Sequence, residues 1–364
     1  MKKMVSLKLG KIYDVLMLLL CIIFAEQLLW NSTLVGDSIR NSLQLCAGTL
    51  IPSLFCFMVL TSFLSGTGLG KLLALPLLPL SRLLCLPPEQ GCILLMSLLG
   101  GYPVGIKALR DCWDRKEIDQ KRLKRMVLFC CCPAPSFVIL AVGERLLGSR
   151  SCGFLLYGAQ LLSTFVIAAL SFLFSPSASR KELGCWLRRP VRRSYSSSIV
   201  EAVQFSTQAL LTMCGYVLLF GVLTALFQQL PLSEACAAFL SAFLEITNGS
   251  VQLVQIDLPQ KLSVISFFLS FGGLAVLFQL KQILGDCPCS FSRLLIGRFL
   301  HGLCSALCCT FLIHCFPQAA AVFSPFGKPL PLADGTTPIL TLCLIGMCIM
   351  FLSAVEDVAL KQNK

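Results

Sequence analysis

Between Ser97 and Leu109 the chain reads Ser-Leu-Leu-Gly-Gly-Tyr-Pro-Val-Gly-Ile-Lys-Ala-Leu, and no helix runs smoothly through that stretch. In a helix interior Gly costs about 1 kcal/mol and Pro about 3 kcal/mol relative to Ala. Pro103 also removes one backbone N–H and turns Tyr102 away from helical geometry. The apolar residues on both sides are of membrane grade. Inside hydrocarbon, such a break survives only where protein or a watery cavity satisfies the freed backbone groups. The stretch therefore marks a candidate substrate site.

The rest of the chain fits a membrane protein. Of its 364 residues, 56% are hydrophobic and 13% charged, with mean hydropathy +0.82. Such values belong to a polytopic membrane protein, all-α in class. The net charge of +12 lies in short segments between apolar runs, which is a topology signal and not a nucleic-acid footprint. Most of the cysteines sit inside apolar runs, as in Cys130-Cys131-Cys132. They are expected to be reduced packing residues. The basic start followed by Val15–Ala25 resembles a signal peptide, but the apolar run continues through Trp30 without a small-x-small cleavage site. An uncleaved first transmembrane helix is expected.

Apolar segments long enough to cross about 30 Å of hydrocarbon fall near 12–30, 43–65, 126–147, 153–174, 200–228, 262–284, 295–316 and 337–355. Two further segments, 91–110 and 234–256, are apolar but interrupted. If every interrupted segment crossed, the basic loop 107–125 would face outside, against the positive-inside rule. If instead both are re-entrant hairpins, only Arg40, Arg145, Arg150, Lys261 and Lys328 of the 30 Lys and Arg face outside. Both termini are then cytoplasmic. Each half becomes one crossing, one hairpin and two crossings, so the second half is inserted upside down. The expected fold is two inverted-topology repeats, each with a re-entrant hairpin and a broken transmembrane helix, plus flanking helices. The expected divisions are an N-terminal helix (1–41), a first repeat (42–174), a basic cytoplasmic linker (175–198), a second repeat (199–316) and a C-terminal loop and helix (317–364).

Corresponding interruptions in inverted halves point to a transporter site at the repeat interface. In the first half they supply Gly100, Gly101, Tyr102, Pro103 and Gly105, with Ser136 in the later break Cys131-Cys-Pro-Ala-Pro-Ser136. In the second half they supply Glu245, Thr247, Asn248, Gly249 and Ser250, with Gly272 and Gly273 in the later break. A helix restarting at Pro103 presents unpaired N–H groups, suited to a carboxylate. Glu245 is a costly intramembrane carboxylate; it moves a proton, stays neutral and donates a hydrogen bond, or caps the break by satisfying N–H groups near Asn248. Tight small-residue packing explains Gly101 and Gly105 as an alternative. Cys287-Pro288-Cys289 suits a soft cation, but it falls in a loop, so no metal is expected. His301 and His314 read as packing residues. No phosphate loop, nucleophile elbow or zinc-protease motif occurs, so neither an enzyme nor a cofactor is expected.

Ile51-Pro-Ser-Leu-Phe-Cys-Phe57, Leu99-Gly-Gly-Tyr-Pro-Val-Gly-Ile-Lys107, Pro133-Ala-Pro-Ser136, Phe243-Leu-Glu-Ile-Thr-Asn-Gly249 and Phe271-Gly-Gly273 together resemble the YlbJ-type sporulation integral membrane proteins. That family carries the nucleoside-recognition (Gate) type of domain and is kin to the concentrative nucleoside transporters. The resemblance implies an inverted-repeat fold in the outer forespore membrane of an endospore former. It also implies passage of dipicolinic acid toward the spore core. The family tends to place Asn residues where this chain has Cys131 and Cys132. Dipicolinate, a small aromatic dicarboxylate, fits opposed half-helix N-termini with Tyr102 near its ring; Lys107 either adds charge or, the favoured alternative, snorkels to the cytoplasmic interface. Alternatives are a nucleoside-type solute carrier and a non-transporting structural protein of the sporulation membranes. The lipid bilayer is the expected surrounding; a coupling proton, a sodium ion and a homo-oligomer all stay open.

Overall fold

A computed structural model describes residues 2–67, 69–75, 88–173, 195–258 and 260–317. Among them all regular structure is helical. The expected segment 337–355 and most of the linker 175–198 lie outside the described residues. Helix α1 (Lys2–Trp30) leads through Asn31 into α2 (Ser32–Leu45). A π-helical turn, Cys46–Leu50, joins α2 to α3 (Ile51–Gly66). The turn has a local cause. Pro52 carries no N–H, which leaves the carbonyl of Gly48 without its helical partner. Arg145 fills that vacancy, donating from Nη1 to Gly48 O.

Short α4 (Leu69–Ala74) precedes the pair α5 (Pro88–Gly100) and α6 (Tyr102–Asp114). Gly101 joins the pair at φ 83°, ψ −172°, a combination open essentially to Gly alone. The two helices fold back on each other: a Cβ on Gly105 would meet Ser97 Cβ at 2.5 Å. The expected loop 107–125 is largely helical. Helix α6 runs on to Asp114, and α7 (Gln120–Met126) follows, capped by Asp119 through Arg122 N. Most of the basic residues there sit on helix ends.

After α7 the backbone is irregular through Cys131–Ala134 and re-enters helix as the π-helical α8 (Ser136–Leu146). The segment near 126–147 is thus two pieces around the break expected at Cys131–Ser136. Helix α9 (Arg150–Leu173) returns alongside α8, with Gly143 packed on Gly153.

The second half repeats this order. Helix α10 (Tyr195–Phe227) is followed by the pair α11 (Glu234–Leu244) and α12 (Ile246–Gln255), which fold back at Glu245. There Gly249 lies directly on the backbone of Ala242, where a side chain would have no room. Helices α13 (Lys261–Phe271) and α14 (Gly273–Leu284) are one segment broken at Gly272 (φ 83°), and α15 (Phe291–Cys315) closes the order.

Among the described residues five stretches are long and apolar enough to cross a membrane: Ser32–Gly66, Arg150–Ser171, Tyr195–Phe227, Lys261–Leu284 and Phe291–Cys315. Exposed Leu, Ile and Phe on their outer faces, such as Leu211, Leu307 and Phe311, have lipid as their natural contact. The packing between halves is reciprocal. Helix α6, from the first pair, lies on α14 beyond the second break; helix α12, from the second pair, lies on α8 beyond the first break. Each folded-back tip is thereby carried toward the other half's break.

Candidate functional site

Both tips reach one cavity. Gly100, Gly101, Tyr102 and Pro103 line it from the first pair, and Glu245, Ile246 and Thr247 from the second. Ala134 and Phe137 come from the first break, and Ala275, Val276 and Gln279 follow the second. Leu54, Met58, Met213 and Tyr216 complete an apolar wall from α3 and α10. The cavity volume is about 30 Å³, on a measure where one water takes roughly 10–15 Å³. In this conformation the tips are closed on each other.

Larger polar cavities flank it. One of about 390 Å³ is bounded by Asp37, Asn41, Gln228, Asn248 and Gln252 among others. One of about 280 Å³ is bounded by Lys107, Arg110, Asp111, Gln208 and Gln279 among others. Gln279 borders both this second cavity and the central one, and donates from Nε2 to Ala209 O at 2.9 Å. Lys107 is held away from the centre by Asp111 (2.9 Å) and Glu201 (3.2 Å), over the ring of Phe205.

Glu245 caps α12. Its Oε1 accepts from Thr247 N at 2.7 Å and its Oε2 from Asn248 N at 2.8 Å. Two accepting oxygens suit the carboxylate form, since a protonated oxygen would face an N–H as a second donor. This N-terminus is already occupied by an acidic side chain of the chain's own. A dicarboxylate spanning two open helix N-termini is therefore excluded in this conformation. The first tip has no such cap: its N-cap residue, Gly101, has no side chain to accept from the start of α6.

Tyr102 is buried and donates through its hydroxyl to Leu269 O, tying the first tip to α13. Of the remaining expected site residues, Asn248 donates from Nδ2 to Val217 O (3.0 Å) and faces the flanking cavity. Gly105 and Gly249 are packing contacts within their pairs. Gly272 and Gly273 shape the second break; Gly273 lies against the backbone of Leu244 and Glu245. Ser136 and Ser250 are buried with hydroxyls that have no partner among the described residues. Cys131 and Cys132 line no part of the cavity. The Cys132 thiol lies 2.8 Å from Thr164 Oγ1 on α9.

Sequence reasoning missed a polar cluster behind Tyr102. Arg298, fully buried, donates from Nη1 to Cys131 O and to His301 Nδ1 (3.0 Å). Because His301 Nδ1 accepts, the ring proton is assigned to Nε2, which reaches Ser163 (3.1 Å) and Thr164 (3.2 Å). One turn away Gln160 donates to Ser305 Oγ (2.8 Å) and accepts from Ser270. The signal was an Arg and a His one turn apart within the apolar run 295–316. Arg298 reads there as a topology marker and His301 as packing. At Cys287-Pro288-Cys289 both thiols lie in the loop 285–290, and burial pushes each above the ordinary value.

A curated relative, the sporulation integral membrane protein YlbJ of Bacillus subtilis (strain 168), is 25% identical over 312 residues, covering 74% of this chain and 76% of its own. No family model and no solved structure matches the chain.

Proposed function

We propose that this multi-pass membrane protein, a member of the YlbJ-type sporulation family, transports a small organic anion between its two helical tips, with dipicolinic acid the foremost substrate. The single observation that carries the reading is the meeting of both tips and both breaks on one cavity, between two polar cavities. A broken element from each half around a buried site is how secondary transporters are built. The two pairs are read as re-entrant hairpins of inverted repeats, with both termini cytoplasmic and the outer forespore membrane as location. The reciprocal packing of α6 on α14 and α12 on α8 supports the pseudo-two-fold relation.

Apolar walls from Leu54, Met58, Phe137, Met213 and Val276 suit a flat ring. The uncapped start of α6 suits one carboxylate. A second reading, a nucleoside-type carrier, is favoured by Glu245, whose carboxylate borders the cavity and would accept from hydroxyl or N–H donors of a neutral solute. Uptake of labelled dipicolinate and uridine into proteoliposomes separates the two. Dipicolinate uptake that is lost in Gly101→Leu is expected. Uptake of uridine alone would establish the second reading, and uptake of neither would leave a structural membrane protein.

A further inference from the structure

The cluster behind Tyr102 contains an unbalanced charge. Arg298 is fully buried, and none of the ion pairs among the described residues includes it. Its Nη1 is committed to Cys131 O and His301 Nδ1, while Nε and Nη2 have no partner among the described residues. Those two nitrogens form the side-on edge of the guanidinium, whose parallel N–H groups match the two oxygens of a carboxylate. His301 offers no negative charge, because its Nδ1 already accepts from Arg298. A buried cation with its bidentate edge vacant is costly unless an anion completes it. The Tyr102 ring both lines the central cavity and lies 5.4 Å from the Arg298 guanidinium carbon.

We propose that Arg298 is the anion receptor of this protein, taking one carboxylate of a small aromatic acid on its Nε/Nη2 edge when the first tip and Tyr102 move. The proposal rests on the transport reading for the route by which the anion arrives, but binding is measured without transport. The backbone of Cys131 and the ring of His301 hold the guanidinium in plane. Cys131 thus contributes through its carbonyl, which any residue supplies at that position.

The test compares two ring-matched probes on the full chain in nanodiscs, by isothermal titration: picolinate, an anion, and picolinamide, its neutral analogue. Wild-type protein is expected to bind picolinate at least tenfold more tightly. Arg298→Gln should abolish that preference, and Arg298→Lys, which keeps a charge but has no fork, should weaken picolinate binding at least tenfold. Equal affinity for the two probes in the wild type, or binding of neither at millimolar concentration, overturns the proposal. So does a picolinate preference retained in whichever variant folds. Picolinate binding through Arg298 without uptake of any solute would sink the transport reading and leave the receptor standing. Dipicolinate uptake unchanged in a folded Arg298→Gln would do the reverse.

Discussion

Replacing Glu245 by Gln tests how the second tip is held. In the wild type both carboxylate oxygens accept backbone N–H groups, from Thr247 and Asn248. Gln keeps one acceptor and turns its amide NH2 toward the other N–H. One buried backbone donor is then orphaned, at about 1–3 kcal/mol, and charge assistance is lost on the remaining bond. A central value of about 2 kcal/mol corresponds to roughly a 30-fold rise in local opening, since each 1.4 kcal/mol is tenfold. The assay is hydrogen exchange with mass spectrometry on peptides covering 244–256, in nanodiscs. Exchange at Thr247 and Asn248 should quicken by about that factor in Glu245→Gln. In Glu245→Asp, Asp is a preferred capping residue, so exchange should stay within a few-fold of wild type. Unchanged protection in Glu245→Gln would refute the capping role, and equal loss in both variants would show that chain length, not acceptor chemistry, holds the tip.

Four further outcomes are expected. Gly101→Ala places a Cβ 2.9 Å from that of Ala134 at φ 83°, so a loss of about 1–3 kcal/mol should appear as a lower thermal midpoint. Gly249→Ala, with no room against Ala242, should sharply reduce the yield of monodisperse protein; a normal yield would contradict the close pairing of α11 and α12. Arg145→Ala removes the donor to the Gly48 carbonyl beside Pro52, at an exposed position, and a loss of about 0.5–1.5 kcal/mol is expected by thermal unfolding. Burial raises the Cys287 and Cys289 thiols, so at pH 7–8 both are protonated. Maleimide labelling of the folded chain should lag a free thiol there and accelerate only at higher pH; labelling at the free-thiol rate would contradict the burial.

The sequence carried the breaks because their causes are local. Gly100-Gly-Tyr-Pro-Val-Gly105 cannot continue a helix whatever surrounds it, and Gly272-Gly273 needs positive φ. The meeting of the two tips was also legible, through the order of interruptions in the two halves. The sequence leaves the role of Glu245 open between proton transfer, a neutral hydrogen-bond donor and capping, because the choice depends on where its oxygens point. The polar cluster was hidden for a different reason. Gln160, Ser163, Ser266, Ser270, Ser305 and Arg298 lie on three helices far apart in the chain, and each alone is an ordinary polar residue in an apolar run. The π turn before Pro52 has its cause in the local sequence, but the donor that satisfies its Gly48 carbonyl, Arg145, comes from far along the chain.

The two tips differ electrostatically, and this bears on coupling. The second tip carries its own carboxylate, whereas the first is uncapped and has the Arg298 guanidinium beside Tyr102. A solute with one acidic end therefore orients itself, acid toward Tyr102 and Arg298 and donors toward Glu245. Dipicolinate has a second carboxylate, which would then face Glu245. Like charges facing each other in a low-dielectric site repel strongly, and one of them must take a proton or share a cation. On the transport reading, a dianion thus crosses only with an accompanying proton or sodium ion lodged between it and Glu245. Glu245→Gln removes the like charge, so dipicolinate uptake by the folded variant should lose its dependence on an imposed proton or sodium gradient, whereas wild-type uptake keeps it. Picolinate, with a single carboxylate, should be indifferent to the gradient in both. Gradient dependence that survives in Glu245→Gln would place the coupling ion elsewhere and refute the argument.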